Sequence, residues 1–594
     1  MLFRSDNIPE APPGSDPPPI ADFCPALGAV AVLATSRQDT REAHVKQIPI
    51  DTLERDPAIL LLTDNVPGSA ALSWADWGRI AAWVGDLPIA LDLLNACLAL
   101  SSITPSNLLQ RAVGRASRPV RELDRLRDAL RGQVPKDAVR GITEAFSISF
   151  ENLDGPTQQA VQLLAQLAPA PVPEAFMEAL PGDLKSPAIR TALRGRHFVT
   201  GGGGLSFGVM HRLMVDFLRS AAEASAPELL ERACMVLRQV MTSDRCQDPR
   251  HWPVMRLCRP HAEALFARGS AMDATAVSSS EMGLAAAFLA FEQGDHAGAR
   301  RLQQRVLEVR TRVLGEEHPD TLRAMNNLAG TLSAQGDHPG ARRLQERVLE
   351  AMTRVLGEEH PATLTSMSNL AHTLGEQGDH TGARRLQERV LEARIRLLGE
   401  EHRDTLAAKN NLALTLYAQG DYAGAQRLQE RVLEASTRLL GEEHPHTLTS
   451  MANLALALGA QGGHAGAGQL EQRVLEAMTR VLGEEHPDTL RSMNNLAGTL
   501  RAQGDLPAAR RHHEHALATM TRVLGEEHPD TLRSMYNLAV TVAAQGDREG
   551  ALRLVRTCLS GQRKVLGPQH PNTVATAKFL RRLESQPPPP PPSS

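Results

Sequence analysis

Two amphipathic runs alternate along the chain from residue 315 onward, and each run ends at a breaker. In residues 321–335 the apolar side chains recur every three or four positions, on one face of a helix. They are Leu322, Met325, Leu328, Ala329 and Leu332. Gly336 ends this run. Residues 341–356 carry a second apolar stripe that stops at Gly357, and Pro361 prevents its continuation. The pattern predicts two antiparallel helices joined by a short Gly-Asp turn.

The two runs recur with a period of 42 residues, which is marked by His318, His360, His402, His444, His486, His528 and His570. A fixed period of this length predicts a solenoid, in which each unit buries its apolar face only against its neighbours. We expect seven helix pairs, the first of them degenerate around residues 282–293, and a closing helix near residues 572–583.

Several short phrases recur among the units, such as LGEEHPDTL, MNNLA and QGD, and alanines stand where two helices pack closely, at Ala329 and Ala341. These features resemble the tetratricopeptide repeat. The 42-residue period resembles the kinesin light chain subtype rather than the form of roughly 34 residues. The resemblance implies a concave groove that binds a protein or an extended peptide, with groove asparagines holding the peptide backbone.

Differences among the copies indicate candidate groove residues. Two levels that the resemblance places in the groove vary: Asn326, Ser368, Asn410, Ala452, Asn494 and Tyr536, and, a turn later, Gly330, His372, Leu414, Leu456, Gly498 and Val540. A surface that reads a ligand varies in this way, and the alternative is drift of solvent-facing residues. The predicted peptide contacts are Asn326, Asn410, Asn494, Arg323, Arg491 and Tyr536.

The triplet Asn-Leu-Ala is the same in all six good copies, beginning with Asn327, Leu328 and Ala329. We interpret these three positions as the ones that hold the stack together.

The repeated histidines do not predict a metal site. Successive repeats stack about 10 Å apart, so one ion could not bind three or four of these imidazoles at about 2 Å. They lie in the corner between helix pairs, where a polar side chain can bond free backbone groups. We therefore expect a structural role.

The first 270 residues lack the period and predict a different fold. Residues 1–7 and Val30–Leu33 have the pattern of short strands, the second leading into Thr35-Ser36-Arg37. Residues 77–84 have that of a helix, before the turn 85–88. This order resembles the NB-ARC nucleotide-binding module of STAND-type signalling ATPases.

The resemblance implies nucleotide contacts at Asp6 (magnesium), Arg37 (terminal phosphate), Gly85 and Pro88 (nucleotide packing) and His211 (ADP phosphate). Residues 142–180 resemble the winged-helix part of the module. Arg212 follows His211 where the family carries aspartate, which departs from its pattern.

The chain has no Gly-x-x-x-x-Gly-Lys-Ser/Thr loop, whose backbone amides and lysine cradle the phosphates and whose hydroxyl binds magnesium. Gly201–Gly204 lacks the lysine, and we predict that it forms the turn of a hairpin wing. We interpret the module as missing its N-terminal half. We therefore expect no ATPase activity and no cofactor beyond weakly bound ADP.

The fold class predicted is mainly α: a C-terminal α-solenoid after a partial α/β nucleotide-binding module with helical and winged-helix subdomains. The predicted segments are a partial α/β core (1–60), a helical subdomain (61–140), a winged-helix-like subdomain (141–225), a helical linker (226–275), the solenoid (276–585) and a proline-rich tail (586–594).

Composition and charge limit the classes of partner and the location that we expect. The formal net charge of −4 provides no general basic footprint for nucleic acid. We found no signal peptide and no apolar span of 18 residues, so we expect a cytoplasmic protein without a membrane anchor. The six cysteines show neither a disulfide framework nor paired metal-ligand spacing. Cys246, His251, Cys258 and His261 lie close in sequence, and we assign them to a core.

Three functions fit these features. The first is a scaffold or sensor arm that binds a peptide or protein in the solenoid groove. The second is an ADP/ATP-operated STAND switch whose phosphate loop lies upstream of Met1. The third is a transcriptional regulator, which would need a further DNA-binding domain. We favour the first, and we expect a monomer.

Overall fold

The protein is almost entirely helical in a computed structural model that describes residues 4–6, 33–35, 53–113 and 138–585. The chain divides into two compact units, Met1–Leu153 and Asp154–Ser594.

The first unit contains a short parallel pair of strands, Arg4–Asp6 and Leu33–Thr35, in which Asp6 lies beside Thr35. Its helices are Arg55–Thr63, Trp74–Trp83, Pro88–Ala99, Pro105–Val113 and Ala138–Glu151. The third of these helices is the most apolar and the most buried, because Leu91, Leu93 and Leu94 are all inaccessible to solvent. It is therefore the core helix of this unit.

The second unit begins with four helices and a small antiparallel sheet. The helices are Gly155–Leu164, Glu174–Glu178, Pro187–Gly195 and Arg212–Ala221. The strands Val172–Pro173 and Ser206–Gly208 pair, and Thr200 bridges Val209. Gly201–Gly204, all at positive φ, form the tip of this hairpin. The predicted hairpin turn is confirmed.

Three further helices lead into the solenoid: Ala226–Val240, Ser243–Gln247 and Trp252–Gly269. They bury Cys246, Cys258 and His261, and His261 Nε2 hydrogen-bonds to the Pro171 carbonyl at 3.0 Å. His251 is largely exposed. The assignment of this group to a core is confirmed for its three buried members.

The solenoid consists of seven helix pairs and a closing helix, as the period predicts. Pairs 1 to 7 are Asp273–Glu292 with His296–Leu314, Pro319–Ala334 with His338–Leu356, Pro361–Glu376 with His380–Leu398, Arg403–Ala418 with Tyr422–Leu440, Pro445–Ala460 with His464–Leu482, Pro487–Ala502 with Leu506–Leu524, and Pro529–Ala544 with Arg548–Val565. The closing helix is Pro571–Ser585. The predicted fold class is confirmed.

Each repeated histidine caps a first helix. In His318 the imidazole Nδ1 accepts the backbone N–H of Asp320 at 3.1 Å, and the equivalent bond recurs in every repeat through His570 at 3.1–3.2 Å. The bond satisfies one of the N–H groups that a helix leaves free at its start. The predicted structural role of the histidines is confirmed.

The recurrent Glu-Glu of each corner joins neighbouring repeats. Its second glutamate pairs with a basic residue near the end of the following repeat's second helix, as in Glu317–Arg354, Glu401–Arg438 and Glu527–Lys564. Because these pairs are exposed, each contributes at most about 1 kcal/mol. Their main effect is to fix the register of the stack.

The solenoid completes one superhelical turn, which brings its beginning against its end. His528 Nε2 lies 3.1 Å from the Glu292 carbonyl, although 236 residues, or about five and a half repeats, separate them. The Trp252 ring lies 6.3 Å from the His528 ring. A Cβ added at Gly294 would lie 2.6 Å from Pro529 Cδ, so this close approach requires glycine.

One helix, Asp273–Glu292, has the length and apolar composition of a membrane span, so the prediction that the chain contains no such apolar span is wrong. This helix is the first of pair 1. It buries Ala286, Ala287, Leu289 and Ala290. Its apolarity is therefore explained by the core.

Leu412→Asp should break the array at pair 4. Leu412 is buried with Leu416, Ala425 and Ala457, and a carboxylate there costs several kcal/mol unless it is neutralised. Calorimetry should show the flanking repeats melting in separate transitions. Leu414→Asp, at an exposed position of the same helix, is the control and should melt like wild type. A single unchanged transition for Leu412→Asp would contradict the helix register.

The contact between the two ends of the turn should weaken at acidic pH. Burial lowers the pKa of His296, His486, His528 and His570, which lie in or beside it. A lowered folded-state pKa means that the contact is strong above the ordinary histidine value of 6.5 and is lost progressively as pH falls below it. Small-angle scattering should show a larger radius of gyration at pH 5 than at pH 7.5. Equal radii at both pH values would count against this contact.

Candidate peptide-binding groove

The first helices of the pairs line the concave side of the solenoid. Successive first helices lie closer to one another than successive second helices do, so the stack curves toward them. A direct link between two first helices is the hydrogen bond from Asn453 Nδ2 to Asn410 Oδ1, at 2.8 Å.

The side chains at the position of Asn326 in each repeat do not point freely into the groove. Each lies opposite the side chain 19 residues later, on the second helix of the same pair. Gln429 Nε2 donates to Asn410 Oδ1 at 2.9 Å, and His513 Nδ1 lies 2.9 Å from Asn494 Oδ1. The facing residues on the second helices are all buried and nearly all polar: Gln345, Gln387, Gln429, Glu471, His513 and Val555. This level therefore serves contacts between the two helices inside each repeat.

Asn494 makes its hydrogen bonds inside the protein. Its side chain is buried, its amide donates to the Leu490 carbonyl at 3.2 Å, and Ser534 Oγ donates to its Oδ1 at 3.1 Å. Asn410 is half-buried and accepts two hydrogen bonds, and Asn326 is half-buried. The side chains of Asn410 and Asn494 thus join helices, whereas the buried Oδ1 of Asn326 has no hydrogen-bond partner among the described residues.

The asparagine of the recurrent Asn-Leu-Ala triplet faces the groove. Asn327, Asn369 and Asn495 are exposed, and Asn411, Asn453 and Asn537 are half-buried. Among the described residues, only Asn453 of these six has a hydrogen-bond partner for its side chain.

The three residues of the triplet therefore have two different roles. Leu328 and Ala329 are buried in the stack, as predicted, but the prediction that Asn327 also holds the stack together is wrong. The reason is that consecutive helical residues point about 100° apart. The sequence signal for this asparagine is that it is the same in all six good copies, although packing does not require it there.

The other predicted groove residues occupy the ends of the array. Arg323 is exposed and pairs with Glu281 at 2.9 Å and with Asp320 at 3.1 Å, and Arg491 pairs with Asp488. The Tyr536 ring packs edge-on against Phe579 of the closing helix, with centroids 5.7 Å apart.

The residues predicted to contact nucleotide fall in both units. Asp6 ends the first strand, Gly85 has φ +65° in the turn before Pro88, and Pro88 begins a helix. His211 caps the helix Arg212–Ala221, where its Nδ1 accepts the Leu213 N–H at 3.2 Å. Arg37 lies outside the described residues.

The repeat region matches a sequence model of the tetratricopeptide repeat in six overlapping segments, residues 280–352, 325–396, 369–435, 404–478, 458–521 and 488–564. A kinesin light chain protein of Podosopora anserina with nearly identical TPR-like repeats is 31% identical over 34% of this chain and 97% of its own, with a TM-score of 0.31.

The chain belongs to the tetratricopeptide-repeat family. Its repeats are of the kinesin light chain type.

Other solved structures also resemble this tetratricopeptide-repeat protein. A STAND protein with a tetratricopeptide repeat sensor from Pyrococcus horikoshii is 11% identical over 93% of this chain and 78% of its own, with a TM-score of 0.35. A Rap protein in complex with competence and sporulation factor is 14% identical over 69% of this chain and 99% of its own, with a TM-score of 0.40. No curated protein sequence matches the chain.

Glu471→Gln should stabilise pair 5. Glu471 is buried where five other repeats carry glutamine or histidine, and burial raises the pKa of its carboxyl, against a hydrogen bond with Thr499 that lowers it. A raised folded-state pKa means that stability is lost as pH rises above the ordinary value of 4.5.

The gain of the Gln variant should therefore be about 1 kcal/mol at pH 7 and should vanish near pH 4. Urea unfolding at the two pH values measures it. Glu476→Gln on the exposed face of the same helix is the control and should show no such pH dependence. If the Glu471→Gln variant is less stable than wild type at pH 7, the buried carboxylate does not destabilise pair 5.

Proposed function

We propose that the protein is a non-catalytic binding module whose concave groove captures an extended peptide segment of a partner protein. The observation that carries the proposal is the row of groove-facing asparagines: Asn327, Asn369, Asn411, Asn453, Asn495 and Asn537. Five of the six have no hydrogen-bond partner for their side chains among the described residues.

A carboxamide offers both a donor and an acceptor, as a peptide group does. An extended chain carries unpaired N–H and C=O groups at regular intervals along its length. A row of asparagines, one in each of pairs 2 to 7, can therefore hold the backbone of a segment without reading its sequence. Selectivity then depends on the side chains around the row, which differ from repeat to repeat.

The residues available for selectivity lie one helical turn away from each asparagine. Three residues after it stand Gly330, His372, Leu414, Leu456, Gly498 and Val540. The first four are exposed and the last two half-buried. This level, unlike that of Asn326, is free to contact a ligand. Different exposed residues at this level in each repeat suit a sensor arm or scaffold that binds a defined partner.

Removing the groove-facing amides should weaken peptide binding and leave the fold intact. The variant Asn327→Ala/Asn369→Ala/Asn495→Ala loses three exposed groups, each contributing roughly 0.5–1.5 kcal/mol to binding. Affinity for peptides selected by phage display on the wild-type chain should fall about ten- to a thousandfold. Fluorescence anisotropy measures the affinity, and thermal unfolding checks the fold.

The matched control removes the other asparagine level. Asn326→Ala/Asn410→Ala/Asn494→Ala breaks bonds between helices and should lower the melting temperature. If the groove-facing variant binds the selected peptides with wild-type affinity, the concave row is not the binding site.

A further inference from the structure

The contact that closes the superhelical turn joins two different ends of the helix pairs. One side is the turn inside a pair, where Gly294 follows the first helix. The other side is the corner between pairs, where His528 and Pro529 begin the first helix of pair 7. A first helix such as Pro319–Ala334 has 16 residues and is about 24 Å long. Turns and corners therefore lie on opposite edges of the solenoid, which we call the turn edge and the corner edge.

The corner histidine supplies the polar part of this contact. Its Nδ1 accepts the N–H that caps the helix, so Nε2 carries the proton of the neutral ring and donates outward. His528 Nε2 lies 3.1 Å from the Glu292 carbonyl. One repeat later, the His570 imidazole lies against the Ala334 carbonyl. Each carbonyl belongs to the last residue of a first helix, where C=O groups have no partner within the helix.

Glycine and proline supply the close packing. A Cβ on Gly294 would lie 2.6 Å from Pro529 Cδ, and a Cβ on Gly336 would lie 3.0 Å from Pro571 Cδ. The second set of residues follows the first by one period of 42 residues on both edges. The same contact is thus made twice. It depends on the recurrent Gln-Gly-Asp and His-Pro sequences and not on one particular pair.

Further copies of both sequences are free in the part of the chain that the structure describes. Gly294 is buried and Gly336 half-buried, but the other glycines in Gln-Gly-Asp turns are exposed: Gly378, Gly420, Gly504 and Gly546. The prolines of three His-Pro corners are exposed as well: Pro319, Pro361 and Pro445. No described residue hydrogen-bonds to Nε2 of the histidines at the corners that begin pairs 2 to 5: His318, His360, His402 and His444.

The free part of the corner edge also exposes aliphatic side chains. Next to the last residue of their second helices, pairs 2 to 5 carry residues that are 45–50% exposed: Val355, Leu397, Leu439 and Val481. The equivalent Val523, beside the corner that packs on Gly294, is half-buried, and Leu524 is buried. Association at this edge would therefore remove apolar surface from water.

The charges of the two edges allow the same contact to form at the free copies. The packed corner Gly525–Asp530 has the same sequence as the free corner Gly315–Asp320. All eight glutamates of the corners that begin pairs 2 to 5 pair with a basic side chain of the chain itself. The turn aspartates cap second helices, as Asp379 does by accepting the Gly382 N–H at 2.9 Å. Both edges thus neutralise or bond most of their carboxylates internally.

The repeats that depart from the recurrent sequences remain compatible with this contact. Arg403 replaces the proline at the corner of pair 4, and its charge is opposite to that of the turn aspartates. On the turn edge Glu376 and Arg501 add one exposed charge of each sign, and Gly463 replaces the aspartate of pair 5.

We propose that copies of this chain associate head to tail, with the free turn edge of one copy packed on the free corner edge of the next through the contacts that close the superhelical turn. A second copy carries both sequences, which is why these edges fit it. Because the two edges differ, the contact is heterologous, and every assembly keeps one free edge of each kind at its ends. A monomer, which the sequence leads us to expect, would then persist only at low concentration.

Sedimentation velocity of the full chain over about a hundredfold range of concentration tests the proposal. The weight-average mass should rise with concentration beyond that of a dimer, because a heterologous contact leaves room for further copies. A monomer at every concentration, or growth that stops at a dimer, would overturn the proposal.

A variant that blocks the turn edge should stay monomeric where the wild type assembles. Gly378→Asn/Gly420→Asn/Gly504→Asn/Gly546→Asn adds a Cβ where the proline of the next copy would lie. Asparagine tolerates the left-handed conformation of these turns, whose φ angles are +84° to +87°. The control Gly330→Asn/Gly498→Asn changes helical glycines with open space around them and should assemble like wild type. Thermal unfolding checks the fold of both variants.

A second variant blocks the corner edge. Pro319→Glu/Pro361→Glu/Pro445→Glu places a larger, negatively charged side chain opposite the turn aspartates of the next copy. The fold should persist, because the capping histidines remain and a carboxylate is favourable in the first turn of a helix. This variant alone should also stay monomeric.

Mixing the two blocked variants identifies the arrangement. The turn-edge variant keeps a free corner edge and the corner-edge variant keeps a free turn edge, so an equimolar mixture should form a heterodimer and nothing larger. If the two variants do not associate on mixing, or if either assembles alone as the wild type does, the contact does not run head to tail through these edges and the proposal is overturned.

Discussion

The structure depends on the packing of each first helix between two second helices, that of its own pair and that of the preceding pair. Leu328, Ala329, Leu332 and Ala341 form one such core, and its equivalents recur along the stack. Because every repeat must satisfy two neighbours, most positions on a first helix are committed to packing. The concave stripe is the part of the helix that packing leaves free. Any ligand-binding role must use it, or the outer faces of the second helices.

A polar row lies inside this packing. In pairs 2 to 6 a residue of the first helix lies opposite a buried polar residue of the second helix, as with Asn410 and Gln429 or Asn494 and His513. Buried polar groups need partners, so this level is constrained by the interior of each pair. The polar residue changes from Gln429 to Glu471 and His513 in successive pairs, so the repeats have individual interiors.

The sequence alone was enough to predict the repeat architecture but not which asparagine of each repeat faces the groove. The 42-residue period, the glycines at helix ends and the capping histidines are local signals, and the structure has all of them at the expected positions. The groove asparagine lies one residue later than the variation among copies indicates, at Asn327 instead of Asn326. Variation among copies could not separate a ligand-facing position from one that lies between the two helices of a pair. The superhelical turn, which brings Glu292 to His528, also has no local signal in the sequence.

The central claim is that ligands lie along the first helices, and site-specific photo-cross-linking tests it most directly. A photoreactive residue replaces Asn369 on the concave side or Arg385 on the second helix of the same pair, both of which are exposed. With a display-selected peptide the account predicts a cross-link from position 369 and none from position 385. A cross-link from position 385 alone would contradict it.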